Sequence, residues 1–267
     1  AYGLRGRDLR EDSPNSMQLL LEGARQLGLD LTDEHRWAFQ VYYEELVAWN
    51  ARFNLTAITE YEQVQVRHFL DSLSCVRALV GTEYLLPAVP GQAGFRLARP
   101  LTCIDVGTGA GFPGLPLKIA FPRLRLTLLE ATGKKVKFLE HIVERLGLED
   151  VTVIKGRAEE LGQMRNHRES YELVLARAVA ELPTLTEYLL PLCRLGGLCI
   201  AQKGVGAQAE AASAQRALAV LGGRLRRIIP VELTGLAETR HLVVMEKIAR
   251  TPEKYPRRPG VPAKRPL

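Results

Sequence analysis

Two carboxylates and a cluster of glycines hold most of the chemistry this chain can do. Asp105 ends an apolar, β-type run. The residues after it, Val106-Gly-Thr-Gly-Ala-Gly-Phe-Pro-Gly114, place glycine at 107, 109, 111 and 114. Glycine is needed where the backbone takes positive φ or approaches a ligand closely. Between a strand and a helix, such a cluster marks a nucleotide-type cofactor site at the carboxyl edge of a parallel sheet. Gly109 to Gly114 also satisfies G-x-G-x-x-G, which suits a dinucleotide. Asp105 argues the other way, because a pyrophosphate needs bare N–H groups and a carboxylate beside the turn repels it. A donor carrying an amino acid group and a sulfonium is cationic at that end, and S-adenosylmethionine answers to this description. Glu130 closes the next apolar run, Leu124–Glu130, where it is placed to accept hydrogen bonds from ribose hydroxyls. S-adenosylmethionine is therefore the expected cofactor; a nicotinamide or flavin, or a plain glycine-rich turn, are the alternatives.

The elements that would position these residues alternate. From Leu101 onward, apolar runs predict strands near 101–106, 124–130, 151–155, 171–177 and 196–202, with helices near 114–121, 133–146, 158–165 and 183–192 between them. A long helix at about 206–221 then precedes two closing strands, 224–231 and 240–247. The fold class expected is α/β: a Rossmann-like SAM-dependent methyltransferase sheet, mostly parallel with an antiparallel last strand, and an N-terminal helical extension. A six-strand dinucleotide domain would not end in an antiparallel hairpin. The helical region spans 17–80: Gln18 to Leu27 is amphipathic, Thr32 can cap a helix through Trp37, Val41, Tyr42, Leu46 and Trp49, and Glu62 to Val80 forms a third segment. Residues 1–16 read as a disordered leader or a remnant of cloning, with Met17 as the native start. Residues 81–100 read as a Gly- and Pro-rich linker, 101–248 as the methyltransferase domain and 249–267 as a basic, Pro-rich tail.

Composition narrows the class further. No apolar run reaches the ~18 residues needed to span a bilayer, no signal peptide is visible, and Cys75, Cys103, Cys193 and Cys199 lack metal-ligand spacing. They read as reduced core residues of a cytoplasmic protein without a metal, expected to act as a monomer. The net charge of +6 is concentrated: Lys247 to Leu267 holds seven cations against one acid, and five of the fifteen prolines. A basic strap held extended by proline suits a clamp on nucleic acid backbone, while a solvated tail is the plainer alternative.

The acceptor is constrained by what is missing. The stretch Leu175-Ala-Arg-Ala-Val-Ala-Glu-Leu-Pro183 contains no Asn/Asp-Pro-Pro-aromatic grip for an exocyclic nitrogen, and no Pro-Cys dipeptide offers a nucleophile for pyrimidine C5. An acceptor that attacks unaided is then expected. Guanine N7 is a lone-pair acceptor that loses no proton on methylation, so in-line alignment and electrostatics suffice.

The motifs Phe53-Asn-Leu-Thr56, Arg67-His-Phe-Leu-Asp-Ser-Leu73, Asp105-Val-Gly-Thr-Gly-Ala-Gly-Phe-Pro-Gly-Leu-Pro116, Gly156-Arg-Ala-Glu159, Ala176-Arg-Ala178, Gln202-Lys-Gly204, Arg240-His-Leu-Val-Val244 and Tyr255-Pro-Arg-Arg-Pro-Gly260 occur in order. With them the chain strongly resembles, from about Met17 to Leu267, the bacterial RsmG (GidB) family, which methylates guanine N7 in a loop of 16S ribosomal RNA. The resemblance implies that Gly107 and Phe112 line the cofactor pocket, to which the acid-flanked glycine loop already assigned Asp105 and Gly109. It further implies that Glu130 holds the ribose, that Ala158 and Glu159 bracket the adenine, and that Arg177 lies beside the methionine end. Read from the residues alone, Arg177 suits a methionine carboxylate or an RNA phosphate equally, and a structural ion pair with an acid such as Asp105 is the plainer alternative. His68, Asp71 and Ser72 share one helical turn; alone they could be an exposed helix pair, and the resemblance makes them a set that seats the target base, Asp71 facing the charge that N7 methylation creates. Candidate catalytic residues are thus His68, Asp71 and Arg177, and candidate RNA contacts are His68, Ser72, Lys203, Arg257 and Arg258. The expected partner is 16S ribosomal RNA or the small ribosomal subunit. Rival readings are a SAM-dependent methyltransferase acting on a small molecule or protein, a nicotinamide-dependent oxidoreductase, and a non-catalytic RNA-binding module.

Overall fold

The computed structural model describes residues 16–88 and 94–267. The leader expected at 1–16 lies, Ser16 apart, outside the described residues. Strands β1 (Leu85–Pro87) and β2 (Phe95–Leu97) pair antiparallel. The stretch 81–100 is therefore more than the linker expected. Leu85 and Leu97 face each other across the pair and are both buried, but three-residue strands are too short to show an alternation in sequence.

Seven strands form the main sheet: β3 (Leu101–Val106), β4 (Leu124–Glu130), β5 (Val151–Lys155), β6 (Tyr171–Arg177), β7 (Cys193–Lys203), β8 (Gly223–Val231) and β9 (Arg240–Lys247). Their spatial order is β5-β4-β3-β6-β7-β9-β8. The first five run parallel, and β9 inserts antiparallel between β7 and β8. This is the expected Rossmann-like methyltransferase sheet with its antiparallel last strand. The chain winds from β3 to one edge and then returns to place β6 beside β3, so a crevice opens at the carboxyl ends of these two strands. Val106, Glu130, Arg177 and Lys203 all end strands on that edge.

Each face of the sheet buries its own apolar layer. One face packs against α1 (Gln18–Gln26), α2 (Asp33–Phe53) and the helices Gly114–Ala120 and Gly133–Arg145. The other packs against the helices Ala158–Leu161, Leu182–Leu189, Ala207–Ser213 and Gln215–Leu221. The last two replace the single helix expected at 206–221, the break falling at Ala214, where ψ opens to −1°. Thr32 caps α2 as expected, its side chain accepting from the His35 backbone N–H. Among the described residues no helix is long and apolar enough to cross a membrane.

The third helical segment is not uniform. It runs Tyr61–Val64, then a π-helical turn Gln65–Leu70, then Asp71–Leu73, with Val76–Leu79 as a separate turn. A π-turn leaves no period-3.6 signature in sequence, and such turns frequently sit at functional sites. This one carries His68.

Candidate functional site

Two cavities open along the carboxyl edge, on either side of the turn that follows β6. The first, of about 230 Å³, is lined by Gly107, Glu130, Ala158 and Glu159, together with Leu129, Val179 and Tyr188. Gly107 stands at φ +66°, and a Cβ there would meet Val179 at 2.8 Å. Its backbone can therefore approach a ligand that any other residue would displace. Glu130 Oε2 accepts from the Gly109 N–H at 2.9 Å and Oε1 from the Thr132 N–H at 2.8 Å. Each carboxylate oxygen can accept a second bond, which leaves capacity for two ribose hydroxyls.

Asp105 lies beneath the glycine loop and is fully buried. Its Oδ2 accepts from Thr108 Oγ1 at 2.6 Å and from the Gly114 N–H at 2.8 Å, which ties the loop to the following helix. Its Oδ1 is buried with no partner among the described residues. Burial raises the Asp105 carboxyl to about 6 against the opposing pull of these two hydrogen bonds and of Arg177. An orphaned buried acceptor of this kind fits the ammonium of a cationic donor. The glycine cradle, the Glu130 carboxylate and the apolar walls fit its adenosine. The residues present thus suit S-adenosylmethionine.

The second cavity, of about 340 Å³, gathers residues from five segments: Ile58, His68 and Asp71, Arg177, Gln202 and Lys203, and Arg240. Arg177 and Ala178 line this cavity and Val179 the other. Ala178 stands at φ +54°, a conformation uncommon for a residue with a Cβ, and the turn it makes sends its neighbours to opposite sides. Arg177 organises the wall. Its Nη1 donates to Asp71 Oδ2 at 3.0 Å and to the Arg67 carbonyl at 3.1 Å, and its Nη2 lies 3.3 Å from His68 Nδ1. Because a guanidinium only donates, His68 Nδ1 accepts, and the ring proton sits on Nε2 facing Thr56 Oγ1 at 2.8 Å. Burial, and then the Arg177 charge, hold the His68 pKa down at about 3, so the ring is neutral at physiological pH.

The helical extension supports this wall directly. Phe112 is sandwiched between Tyr42 (centroids 5.4 Å) and His68 (4.5 Å), with the Arg177 guanidinium 5.0 Å from its centroid. The Tyr42 hydroxyl donates to the Ala110 carbonyl at 2.6 Å. At Gly111 a Cβ would lie 2.4 Å from that hydroxyl, so α2 docks on the loop only because glycine is there.

Several expectations are corrected by these positions. Phe112 and Arg177 do not line the first cavity: Phe112 is stacked inside the wall, and Arg177 belongs to the second cavity. Asp105 and Gly109 shape the glycine loop instead, Asp105 with Oδ1 left bare and Gly109 donating to Glu130. Ser72 is fully buried and donates to the His68 carbonyl at 2.5 Å, which leaves it out of reach of RNA. Lys203 donates to the Ala180 carbonyl at 2.6 Å and pairs with Glu210 at 2.8 Å, so its charge braces the turn after β6. Arg257 grips Glu187, a fully buried acid, through Nε and Nη2 at 2.9 and 2.6 Å. Arg258 is exposed, as an RNA contact requires. Tyr188, Gln202 and Arg240 were not expected as site residues. Gln202 and Arg240 begin motifs already noted, while nothing in the sequence sets Tyr188 apart from a core aromatic.

Comparison with known proteins decides the family. The model of the family described as "GidB: rRNA small subunit methyltransferase G" matches residues 36–243. The chain belongs to the rRNA small subunit methyltransferase G family. It is 46% identical to ribosomal RNA small subunit methyltransferase G of Alkaliphilus metalliredigens over 94% of this chain and 99% of that protein. Proteins of the same name from Dehalococcoides mccartyi strain BAV1 and Roseiflexus castenholzii are 48% and 49% identical, each over 94% of this chain and 100% of the relative. The chain is thus a methyltransferase of this family with S-adenosylmethionine as its methyl donor. A methyltransferase must seat a donor and an acceptor side by side, and the carboxyl edge holds two cavities separated by a single turn.

Proposed function

We propose that the chain transfers a methyl group from S-adenosylmethionine to N7 of a guanine in a loop of 16S ribosomal RNA, acting in the cytoplasm on the RNA or on the small ribosomal subunit. One observation carries the choice of acceptor: among the described residues, the histidine and the carboxylate that line the second cavity are both held by guanidiniums. His68 is neutral with Nδ1 accepting from Arg177, and the Asp71 carboxylate sits between Arg177, 3.0 Å from Oδ2, and Arg240, 3.6 Å from Oδ1. A general base must reach the proton it takes, and a purine N7 has none to give. Arg67, Arg177 and Arg240 line the same cavity, as suits a polyanion.

When bound, the donor supplies an electrophilic methyl on a sulfonium. Glu130 would hold its ribose, Ala158 and Glu159 its adenine, and Asp105 Oδ1 its ammonium. On the acceptor side, His68, Phe112 and Arg177 form a rigid wall that orients the base, and Asp71 balances the charge that appears on the ring. The A-form major groove is too deep and narrow for side chains, so the base must be in a loop or unstacked. Treating 16S RNA that lacks the modification with enzyme and donor, then analysing nucleosides by mass spectrometry, is expected to yield 7-methylguanosine. Methyl on another base or on protein sinks the reading.

The Asp105 placement has a pH consequence. An ammonium partner favours the carboxylate form, so binding below the free pKa of about 6 requires loss of a proton. The donor Kd is expected to be flat from pH 6.5 to about 7.5, where an α-amino group begins to deprotonate. It should rise by up to about tenfold per unit below pH 6. Calorimetric titration across pH 5–8 checks this, and a flat profile removes Asp105 from the donor site.

A further inference from the structure

The second cavity has three buried polar atoms that make no hydrogen bond. Asp71 Oδ1, Gln202 Oε1 and Arg240 Nε are each buried without one among the described residues, Asp71 Oδ1 and Arg240 Nε facing each other as a long 3.6 Å ion pair, and all three residues line that one cavity. Asp71 and Gln202 are 3% and 6% exposed, so the shortfall is not made up by bulk water. An unsatisfied buried polar group is costly, and three in one wall call for a ligand.

The neighbours fix what each atom can offer. Asp71 Oδ2 is taken by Arg177, leaving Oδ1 as a free acceptor. Gln202 Nε2 donates to the Asp71 carbonyl at 2.6 Å. Only the nitrogen can face a carbonyl, so the amide orientation follows from chemistry, and Oε1 is an acceptor. Arg240 Nε is a donor 3.6 Å from Asp71 Oδ1, beyond hydrogen-bond length. Asp71 contacts both other residues, Gln202 through its backbone carbonyl and Arg240 through its carboxylate. The wall therefore offers two acceptors and one donor, and with Asp71 in the middle they read acceptor, acceptor, donor.

Among the four bases, guanine alone has the complementary edge: the N2 amino group and N1–H donate and O6 accepts. Adenine offers an N6 donor and an N1 acceptor, cytosine two acceptors and a donor, and uracil a donor between two acceptors. Flipped bases are commonly read on this edge. We propose that Gln202, Asp71 and Arg240 read the Watson–Crick edge of the acceptor, Gln202 taking the N2 amino group, Asp71 the N1–H and Arg240 the O6. The inference rests on the acceptor's being a guanine. Arg240 is the member free to adjust as the base enters: its side chain is 24% exposed and its contacts to Asp71 and Glu238 are long, at 3.6 and 3.8 Å. Methylation at N7 puts positive charge into the ring and makes N1–H a better donor. The Asp71 contact then strengthens as the reaction proceeds, which is the kind of interaction that raises a rate.

The test uses inosine, which keeps N1–H and O6 but lacks the N2 amino group. The methylated position is first mapped in native 16S RNA, and an RNA with inosine there is prepared by ligation. With wild-type enzyme, kcat/KM is expected to fall by roughly ten- to a hundredfold on the inosine RNA. With Gln202→Met, guanosine and inosine RNAs should be methylated at equal, reduced rates. A purely structural role for Gln202 would lower both rates by one factor and preserve the preference, and equal wild-type rates on both RNAs would overturn the assignment outright. The wild-type comparison needs no variant, so it stands even if Gln202→Met folds poorly. Absence of 7-methylguanosine from native RNA would defeat the proposed function instead, and is scored before the inosine arm begins.

Discussion

Replacing Arg177 with methionine is expected to cost about 3–5 kcal/mol of stability and to slow single-turnover methyl transfer by roughly a hundredfold. The stability loss follows from what the substitution strands. Asp71 is almost fully buried, its Oδ1 already lacks a hydrogen bond, and Arg177 supplies the 3.0 Å bond to Oδ2. Without it a desolvated carboxylate has only Arg240, 3.6 Å away. The rate loss has a separate origin. The same guanidinium holds His68 and the Arg67 carbonyl and lies over Phe112, so its removal loosens the wall against which the base is aligned.

Two companion variants separate these effects. Arg177→Lys keeps the charge but not the planar fork, and should recover little of the rate. Asp71→Asn combined with Arg177→Met removes the stranded charge, and should recover stability in thermal unfolding while the rate stays low. Asp71→Asn alone should slow the single-turnover step, and a normal rate would end its part in balancing the ring charge. His68 gives a further readout. Burial, then Arg177, depress its pKa, so in the methionine variant it should rise from about 3 yet stay below the ordinary histidine value, as NMR titration would show. A variant that unfolds no earlier than wild type and leaves His68 unmoved would contradict the role assigned to Arg177.

How far the sequence revealed the site depended on whether local pattern or tertiary placement was at issue. The strands β3, β4, β5, β6 and β9 lie where apolar runs predict them; Glu130 ends β4 as expected, and Asp105 is the penultimate residue of β3. The glycine at 107 was legible because a strand-to-helix turn demands it. The division of the edge into two cavities was not, because it depends on Ala178, an unremarkable residue that takes φ +54° only in its tertiary setting. Asp105 shows the same limit: an acid before the glycine loop announces a cationic ligand, but not that Thr108 and Gly114 occupy one oxygen and leave the other bare. His68, Asp71 and Ser72 looked like one helical turn. The π-turn and the packing of the segment then direct His68 and Asp71 into the cavity and bury Ser72.

The tail departs furthest from its composition, and with it the second large effect. Seven cations and five prolines suggested an extended clamp, yet the segment is built into the domain. Arg168 donates to the carbonyls of Thr251, Pro252 and Tyr255. Tyr255 and Pro262 are buried, and the helix Val261–Lys264 closes the chain. The Gly260 N–H donates at 3.0 Å to Glu159, a residue that lines the first cavity, where the donor is proposed to bind. Deleting 255–267 is therefore expected to reduce stability and donor affinity together. Arg257→Met should reproduce much of the stability loss, about 3 kcal/mol for uncovering buried Glu187, or roughly 6–12 °C in melting temperature for a chain of this size. The grip on RNA backbone falls to the exposed cations. Neutralising Arg258, Lys264 and Arg265 should lower the salt slope of RNA binding by about 2 in log–log units while the donor Kd holds. A truncation that flattens the salt dependence and spares both melting temperature and donor affinity would restore the tail to the flexible strap its composition implies.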